Sequence, residues 1–212
     1  MEQEETVDFD FIRILVNDVQ HALNLARNSN EQTDKRNLIR TIISAIEGLS
    51  WHCRNHIQAI IKDIDHIPPF IELAFSETTY SINAHGILVQ QPRFIPMTTM
   101  IRFLVNVAKT FCPDLNIDFG SEGWDNLKKA TAIRNRITHP KSVQDLEISD
   151  QDIDIANMGF FWFLDITGDV MESMMHQLRV DTDLLRQILK ELNEGDLETI
   201  ALYHSVLTDI HD

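Results

Sequence analysis

Three side chains near residue 135 have the types and the spacing that cleavage of RNA through its 2′-hydroxyl group needs. Asn135 and His139 are four residues apart, which places them about 40° apart around an α-helix. Arg134 lies about 140° from His139 on a regular helix. Pro140 follows, however, and disfavours the helical conformation for the residue before it. We therefore expect His139 to stand at a helix end, free to approach Arg134.

Each of these three side chains would have its own task in that reaction. An imidazole accepts and returns protons near neutral pH, so His139 would serve the 2′-hydroxyl and the departing 5′-oxygen. The Arg134 guanidinium stays charged and binds phosphate through two N–H groups. Asn135 would hold the phosphate or orient the imidazole by hydrogen bonds. This chemistry requires no metal ion and no cofactor, and the sequence shows no clear cluster of metal ligands.

The charge around these residues suits an anionic substrate, although the whole chain is acidic. The formal net charge is −15, which by itself argues against a general nucleic-acid binder. The window from Asn126 to Gln144 nevertheless contains no Asp or Glu. Its remaining Lys and Arg residues are the predicted substrate-binding side chains, Arg136, Lys128, Lys129 and Lys141. Cations near a helix C-terminus also stabilise the helix, so charge alone leaves both explanations open.

His52 and His56 form a second group with chemical potential. They are four residues apart and share a helix face with Asp63, and two His with one Asp are able to ligate zinc. The same face borders a stripe of isoleucines, which favours partly buried structural histidines instead. A third interpretation places this helix along the catalytic cleft, where Arg54 or His56 would support the active site.

Apolar residues recur with helical spacing through most of the chain, which predicts an all-α, antiparallel helical bundle. Helices are predicted over residues 8–28, 34–65 and 97–111, and the helix that carries Arg134 begins between residues 121 and 125. A small hairpin is predicted within residues 75–95. A long helix over residues 149–179 contains the apolar run Phe160–Leu164, which indicates burial on every side or a dimer interface. Two short amphipathic helices, separated by Gly195, follow.

The remaining features of the sequence favour a cytoplasmic protein without a membrane partner. The two cysteines, Cys53 and Cys112, form no paired motif, so we expect reduced thiols. The acidic first residues do not resemble a signal or transit peptide. The longest apolar stretch, residues 153–175, contains four carboxylates, which are too costly for a membrane span and predict a buried helix.

The segment Arg134-Asn135-Arg136-Ile137-Thr138-His139 resembles the R-polar-x-x-x-H signature of the HEPN ribonucleases, here in the form R-N-x-x-x-H. The preceding Ile133 and the following Pro140 strengthen the resemblance. It implies a four-helix core, a homodimer whose motifs face each other across a cleft, and a metal-independent endoribonuclease. The products would carry a 2′,3′-cyclic phosphate and a 5′-hydroxyl. By this resemblance Arg134, Asn135 and His139 are the catalytic residues. Many members are toxins or effectors of antiviral defence, which implies RNA and an antitoxin or regulatory protein as partners.

These observations divide the chain into a HEPN-like helical domain at residues 1–180 and a C-terminal helical extension at residues 181–212 that packs on it. The rival interpretation is a non-catalytic HEPN-like helical module that binds RNA, a nucleotide or a partner protein. In that case Arg134 and Arg136 bind phosphate or an acidic partner, and His139 only caps a helix.

Overall fold

The computed structural model describes the backbone of residues 2–64 and 68–209 and the side chains of residues 10–62 and 68–205. This part of the chain forms seven α-helices and one two-stranded sheet, which confirms the predicted helical bundle with an inserted hairpin. The helices are α1 (Glu2–Ser29), α2 (Gln32–Ile64), α3 (Pro69–Phe75), α4 (Met97–Phe111), α5 (Glu122–Thr138), α6 (Asp150–Glu194) and α7 (Leu197–Asp209). The strands are β1 (Thr78–Ile82) and β2 (Leu88–Pro92), and a short 3₁₀ helix covers Gln144–Leu146.

Helix α2 is the centre of the bundle and packs against α1, α5 and α6. Its predicted apolar stripe is buried, and the described members are Leu38, Ile42, Ile46, Leu49, Ile57 and Ile60. The spacing also predicts Ile64 as a member of this stripe, and its side chain lies outside the described residues. These positions recur at intervals of three or four residues, except for the eight residues, about two turns, from Leu49 to Ile57. One face of α2 therefore stays in the core and the opposite face is left for polar side chains.

Two glycines allow α5 and α6 to approach each other closely. A Cβ atom added to Gly159 of α6 would lie 2.8 Å from both Cα and N of Leu127 in α5. On α5, a Cβ atom at Gly123 would collide with the ring of Trp162. Protein interiors are close-packed, so contacts of this kind fix one element against the other. The approach at Gly159 therefore sets the position of α5, the helix that carries Arg134.

Helix α3 was not predicted. Pro68 is the N-cap of α3 and Pro69 is its first residue. The helix predicted over residues 34–65 ends before these prolines, and no helix was predicted directly after them. A proline in the first turn of a helix lacks an N–H that the helix does not use, and its fixed φ suits the helical conformation.

The hairpin predicted within residues 75–95 is confirmed, since β1 and β2 pair in antiparallel orientation. Its turn is built around Asn83, whose side-chain oxygen accepts hydrogen bonds from the backbone N–H groups of His85 and Ile87. Gly86 has a φ of 72°, a left-handed conformation that glycine adopts without strain. His85 and Gly86 thus belong to the turn of the hairpin.

Helix α6 is one continuous helix of 45 residues, so the predicted break after residue 179 is wrong. No glycine or proline occurs between Gly168 and Gly195, and no residue in that stretch forces the backbone out of a helix. Gly195 ends α6 with a left-handed φ of 79°, as predicted. Several leucines near this end are exposed: Leu184, Leu185, Leu189, Leu197 and Leu202. The division of the chain at residue 180 stays a prediction.

The aromatic run of α6 is buried on one side only. Phe160 and Phe163 are in the core, whereas Phe161 is 58% exposed. Burial on every side is therefore wrong, and the dimer interface stays a prediction. Met158, three residues before Phe161 and on the same helix face, is also exposed. Among the helices of residues 2–64 and 68–209, none is long and apolar enough to cross a membrane.

Candidate functional site

The C-terminal end of α5 presents the three predicted catalytic residues. Asn135 lies in the last turn of the helix and Arg134 directly before that turn, and His139 is the C-cap with φ −124° and ψ 59°. The backbone N–H of His139 still donates to the carbonyl of Asn135, at 3.0 Å. The His139 side chain is exposed. Pro140 thus turns His139 out of the helix, which confirms its predicted place at the helix end.

Arg134 is held by a carboxylate from another helix. Its Nη2 donates to Oε1 of Glu47 in α2 at 2.5 Å. The two side chains are 28% and 49% exposed, so solvent weakens this pair and its contribution to stability is small. Its main effect is on geometry, because it fixes the direction of the guanidinium. The Nε atom of Arg134 is covered from solvent and has no hydrogen-bond partner among the described residues.

Arg134 and Asn135 line a cleft of about 640 Å³ between α2, α5 and the start of α4. The cleft also reaches Glu77, the residue that precedes the hairpin. Its remaining lining residues are Glu47, Ser50, Trp51, Arg54, Phe94, Ile95, Pro96, Met97, Thr98, Met100 and Thr131. His139 is not among them. The structure therefore joins two of the three predicted catalytic side chains to one cleft and places the third about one turn further along, in solvent.

Arg136 has a structural position. Its Nη1 donates to the backbone carbonyls of Gln144, Asp145 and Glu147, at 3.3, 3.2 and 3.0 Å. Its Nη2 contacts Oδ2 of Asp152 at 3.4 Å. The guanidinium therefore ties the end of α5 to the loop after it and to the first turn of α6. These contacts count against the predicted role of Arg136 in substrate binding.

The three predicted substrate-binding lysines lie on the surface outside the cleft. Lys128 pairs with Asp125 of the same helix at 2.7 Å, and both side chains are about half exposed. The hydrogen bond and charge of Lys128 lower the pKa of the Asp125 carboxyl. Lys129 and Lys141 are exposed. All three remain accessible to an anionic ligand, and none of them shapes the cleft.

A polar stripe of α2 faces this end of α5, and two of its members, Arg40 and Glu47, were not predicted from the sequence. Arg40 donates from Nη2 to the carbonyl of Ile137 at 3.3 Å, and so satisfies one of the free carbonyls at the helix end. Glu47 and Arg54 follow on the same stripe and line the cleft. The signal was their spacing of seven residues, which keeps side chains on one helix face. Arg54 had been named from the sequence, in the interpretation that places this helix along the cleft, and it lines the cleft; His56, the alternative in that interpretation, does not.

His52 and His56 contact each other rather than lining the cleft. Their Nε2 atoms are 3.1 Å apart, so that one ring donates a hydrogen bond and the other accepts it. The His52 ring also packs 5.5 Å from the ring of Phe11. The side chain of Asp63, the proposed third zinc ligand, lies outside the described residues. Within the described part of the chain, no group of three or more His, Cys, Asp or Glu side chains is placed to hold a metal ion.

Comparison with known proteins adds no relative: no family model matches the chain, and no curated protein or solved structure matches it significantly.

Proposed function

We propose that this chain is a metal-independent endoribonuclease of the HEPN type. The observation that carries the proposal is the end of α5. Arg134 and Asn135 open into one cleft there, while His139 leaves the helix and exposes its imidazole one turn later. The sequence R-N-x-x-x-H alone would fit many helices. Its position at a helix end, with two of the three side chains in a cleft and the imidazole exposed beside it, is what supports the proposal.

In the proposed reaction the 2′-oxygen of one nucleotide attacks the adjacent phosphorus, and the bond to the 5′-oxygen breaks. His139 transfers protons, taking one from the 2′-hydroxyl and giving one to the departing 5′-oxygen. Arg134 stabilises the charge that builds up on the phosphate, and Asn135 positions the phosphate by hydrogen bonding. The products are a 2′,3′-cyclic phosphate and a 5′-hydroxyl. No bond in this scheme forms to a metal ion or cofactor.

Glu47 adds a positioning role to this scheme. By binding Nη2 of Arg134 at 2.5 Å, it leaves the Nη1 edge of the guanidinium to a phosphate. A carboxylate at this place also opposes a second negative charge. The Glu47 carboxylate and a phosphate therefore compete for the Arg134 guanidinium. Replacement of Glu47 by Gln removes the competing negative charge and should strengthen the binding of RNA.

The proposal includes partners. A homodimer would bring two α5 ends together, and exposed Met158 and Phe161 on α6 offer an apolar surface for it. Lys128, Lys129 and Lys141 would contact the RNA backbone outside the cleft. A nuclease of this kind would act in the cytoplasm as a toxin or an antiviral-defence effector, under the control of an antitoxin or regulatory protein.

The test is cleavage of end-labelled total RNA by purified protein in EDTA. We expect the wild type to cut RNA and His139→Ala to be inactive while retaining its helical circular dichroism spectrum. His85→Ala is the matched control, because His85 is an exposed histidine in the hairpin turn, and it should cut like the wild type. Equal cleavage by His139→Ala and the wild type would refute the proton-transfer role of His139 and with it the proposed HEPN-type nuclease.

A non-catalytic module is the second candidate, and one observation favours it. Both arginines of the motif already have protein partners, Glu47 for Arg134 and backbone carbonyls for Arg136. Under this alternative the cleft binds RNA, a nucleotide or a partner protein without cutting it. Binding that needs Arg134, together with an absence of cleavage by the wild type, would establish this function instead. Healthy expression of the wild type in cells would also favour it, since an active toxin is poorly tolerated.

A further inference from the structure

The cleft contains two guanidinium groups with unused hydrogen-bonding capacity. Arg54 is 7% exposed, and its one polar partner among the described residues is Glu77, at 3.4 Å. The Nε atoms of Arg54 and Arg134 are both covered and unpaired. A buried donor without an acceptor is unfavourable. Both groups therefore stand to gain a hydrogen bond when an oxygen acceptor enters the cleft and the guanidinium turns toward it.

The start of α4 adds a second feature that favours an anion. Met97 and Thr98, the first two residues of this helix, line the cleft. The N-terminal N–H groups of a helix are free of helical partners and carry a partial positive charge. The N-cap is Pro96, which provides no side-chain cap, and the first turn of α4 contains no acidic residue. The helix end therefore acts together with Arg54 and Arg134.

Aromatic rings border the same cleft. Trp51 is 52% exposed and Phe94 is 86% exposed, although large apolar side chains are normally covered. The Trp51 ring contacts Phe11 edge to face, with centroids 6.4 Å apart, which holds it in place. Exposed aromatic faces beside cations are the usual means of binding unpaired bases and their phosphates.

The net charge of the cleft restricts the charge of the ligand that it can bind. Glu47 pairs with Arg134, and Glu77 pairs with Arg54, so the four side chains together are neutral. A singly charged phosphodiester suits this balance better than a triphosphate, whose further charges would meet the two carboxylates. The combination of an aromatic platform with one site for a phosphodiester points to a nucleotide within an RNA strand.

We propose that the cleft binds one unstacked nucleotide of single-stranded RNA. Its phosphodiester is held by Arg54, Arg134 and the start of α4, and its base stacks on Trp51 with Phe94 beside it. This assigns binding roles to Trp51, Arg54 and Phe94, which lie outside the motif. The proposal rests on the proposed function for the identity of the RNA as substrate, but the binding itself is measured without cleavage.

The test uses a fluorescein-labelled pentauridylate with 2′-O-methyl groups, which cannot undergo attack by the 2′-oxygen. Fluorescence anisotropy gives its dissociation constant for the full-length protein. Stacking of one base changes affinity by about 5-fold to 150-fold, so we expect Trp51→Ala to weaken binding at least 5-fold. Phe94→Ala and Arg54→Lys should weaken it as well. Binding should also quench the tryptophan fluorescence of the wild type and leave that of Trp51→Phe unchanged.

Matched controls separate a lost contact from a disturbed fold. Phe70→Ala removes an aromatic ring that is 69% exposed and outside the cleft, and Arg186→Lys alters an exposed arginine near the far end of α6. Both should bind within 2-fold of the wild type. Trp51 and Phe94 are exposed, so their variants should melt like the wild type even if Arg54→Lys does not.

Three results would overturn the inference. The first is binding by Trp51→Ala and Phe94→Ala that equals that of Phe70→Ala. The second is binding of uridine 5′-monophosphate as tight as that of the pentanucleotide, which would assign the cleft to free nucleotides. The third is equal affinity for a double-stranded form of the RNA. Trp51-dependent binding without any cleavage of ordinary RNA would support the inference and remove the proposed nuclease. Cleavage of ordinary RNA, together with binding that does not depend on Trp51, would support the proposed nuclease and overturn the inference.

Discussion

The close contact between α5 and α6 at Gly159 positions the helix that carries Arg134, and replacement of Gly159 by Ala should disturb it. In Gly159→Ala the new Cβ atom would lie 2.8 Å from Cα and N of Leu127. Ordinary contacts of a Cβ atom begin at 3.4 Å, so the two backbones must separate by about 0.6 Å in a close-packed interior. Because the obstructing atoms belong to backbone, no side chain can rotate to make room.

The size of the effect follows from two opposing terms. Overpacking of a core costs about 1–3 kcal/mol, while replacement of glycine by alanine within a helix stabilises it by about 0.8–1 kcal/mol. The free energy of unfolding of Gly159→Ala should therefore fall by up to about 2 kcal/mol. For a chain of this size, that lowers the melting temperature by up to about 8 °C.

Gly168→Ala is the matched control on the same helix. No atom lies within 4 Å of the position of its Cβ, so only the helix term applies and the free energy of unfolding should rise by up to about 1 kcal/mol. Thermal and urea unfolding, followed by circular dichroism, measure both variants. If Gly159→Ala is as stable as Gly168→Ala, the close approach of α5 and α6 is not present in solution.

Three further predictions concern the surroundings of the site. Arg136→Met should leave the backbone carbonyls around residue 145 without their donor, lower the free energy of unfolding by about 1–3 kcal/mol, and speed tryptic cleavage at Lys141. Burial raises the pKa of the Cys53 thiol to about 12, so Cys53 should resist alkylation at pH 8 in the native protein and react in urea. The backbone N–H of Lys141 is the main cause of a lowered pKa at Asp145. The hydrogen bonds from Lys141 and Ser142 are therefore retained above pH 3.8 and lost as the pH falls through the lower folded-state pKa. The amide resonances of these two residues should follow that titration in NMR spectra, and Asp145→Asn should abolish it.

The helices with a regular apolar stripe were predictable from the sequence. The stripe of α2 follows the helical period, and α4 has clear ends, because Pro96 precedes it and Cys112-Pro113 follows it. The limits of α4 are the predicted ones, Met97–Phe111. Helix α3 was missed, since a pair of prolines ends one helix and begins the next equally well. The break predicted within α6 had no proline or glycine to cause it.

The candidate site was predictable mainly where its residues are neighbours in the chain, and Arg54 of α2 was named only within one of three interpretations of its helix. The order Arg134, Asn135, His139 and Pro140 predicts a helix end with an exposed imidazole, and the structure has one. The partner of Arg134 is Glu47, 87 residues away, and local spacing carries no information about a contact at that separation. The contacts of Arg136 with the loop after α5 likewise depend on where that loop folds back.

The most direct test of the account is the chemistry of the cut made at the end of α5. Purified protein in EDTA is given an RNA oligonucleotide, and the product ends are identified by mass spectrometry. The same oligonucleotide with a single 2′-deoxy nucleotide at the cut position is the comparison. We expect a 2′,3′-cyclic phosphate, a 5′-hydroxyl and no cut at the 2′-deoxy position. Products with a 5′-phosphate, or equal cleavage of the 2′-deoxy oligonucleotide, would contradict attack by the 2′-oxygen and with it the roles assigned to Arg134, Asn135 and His139.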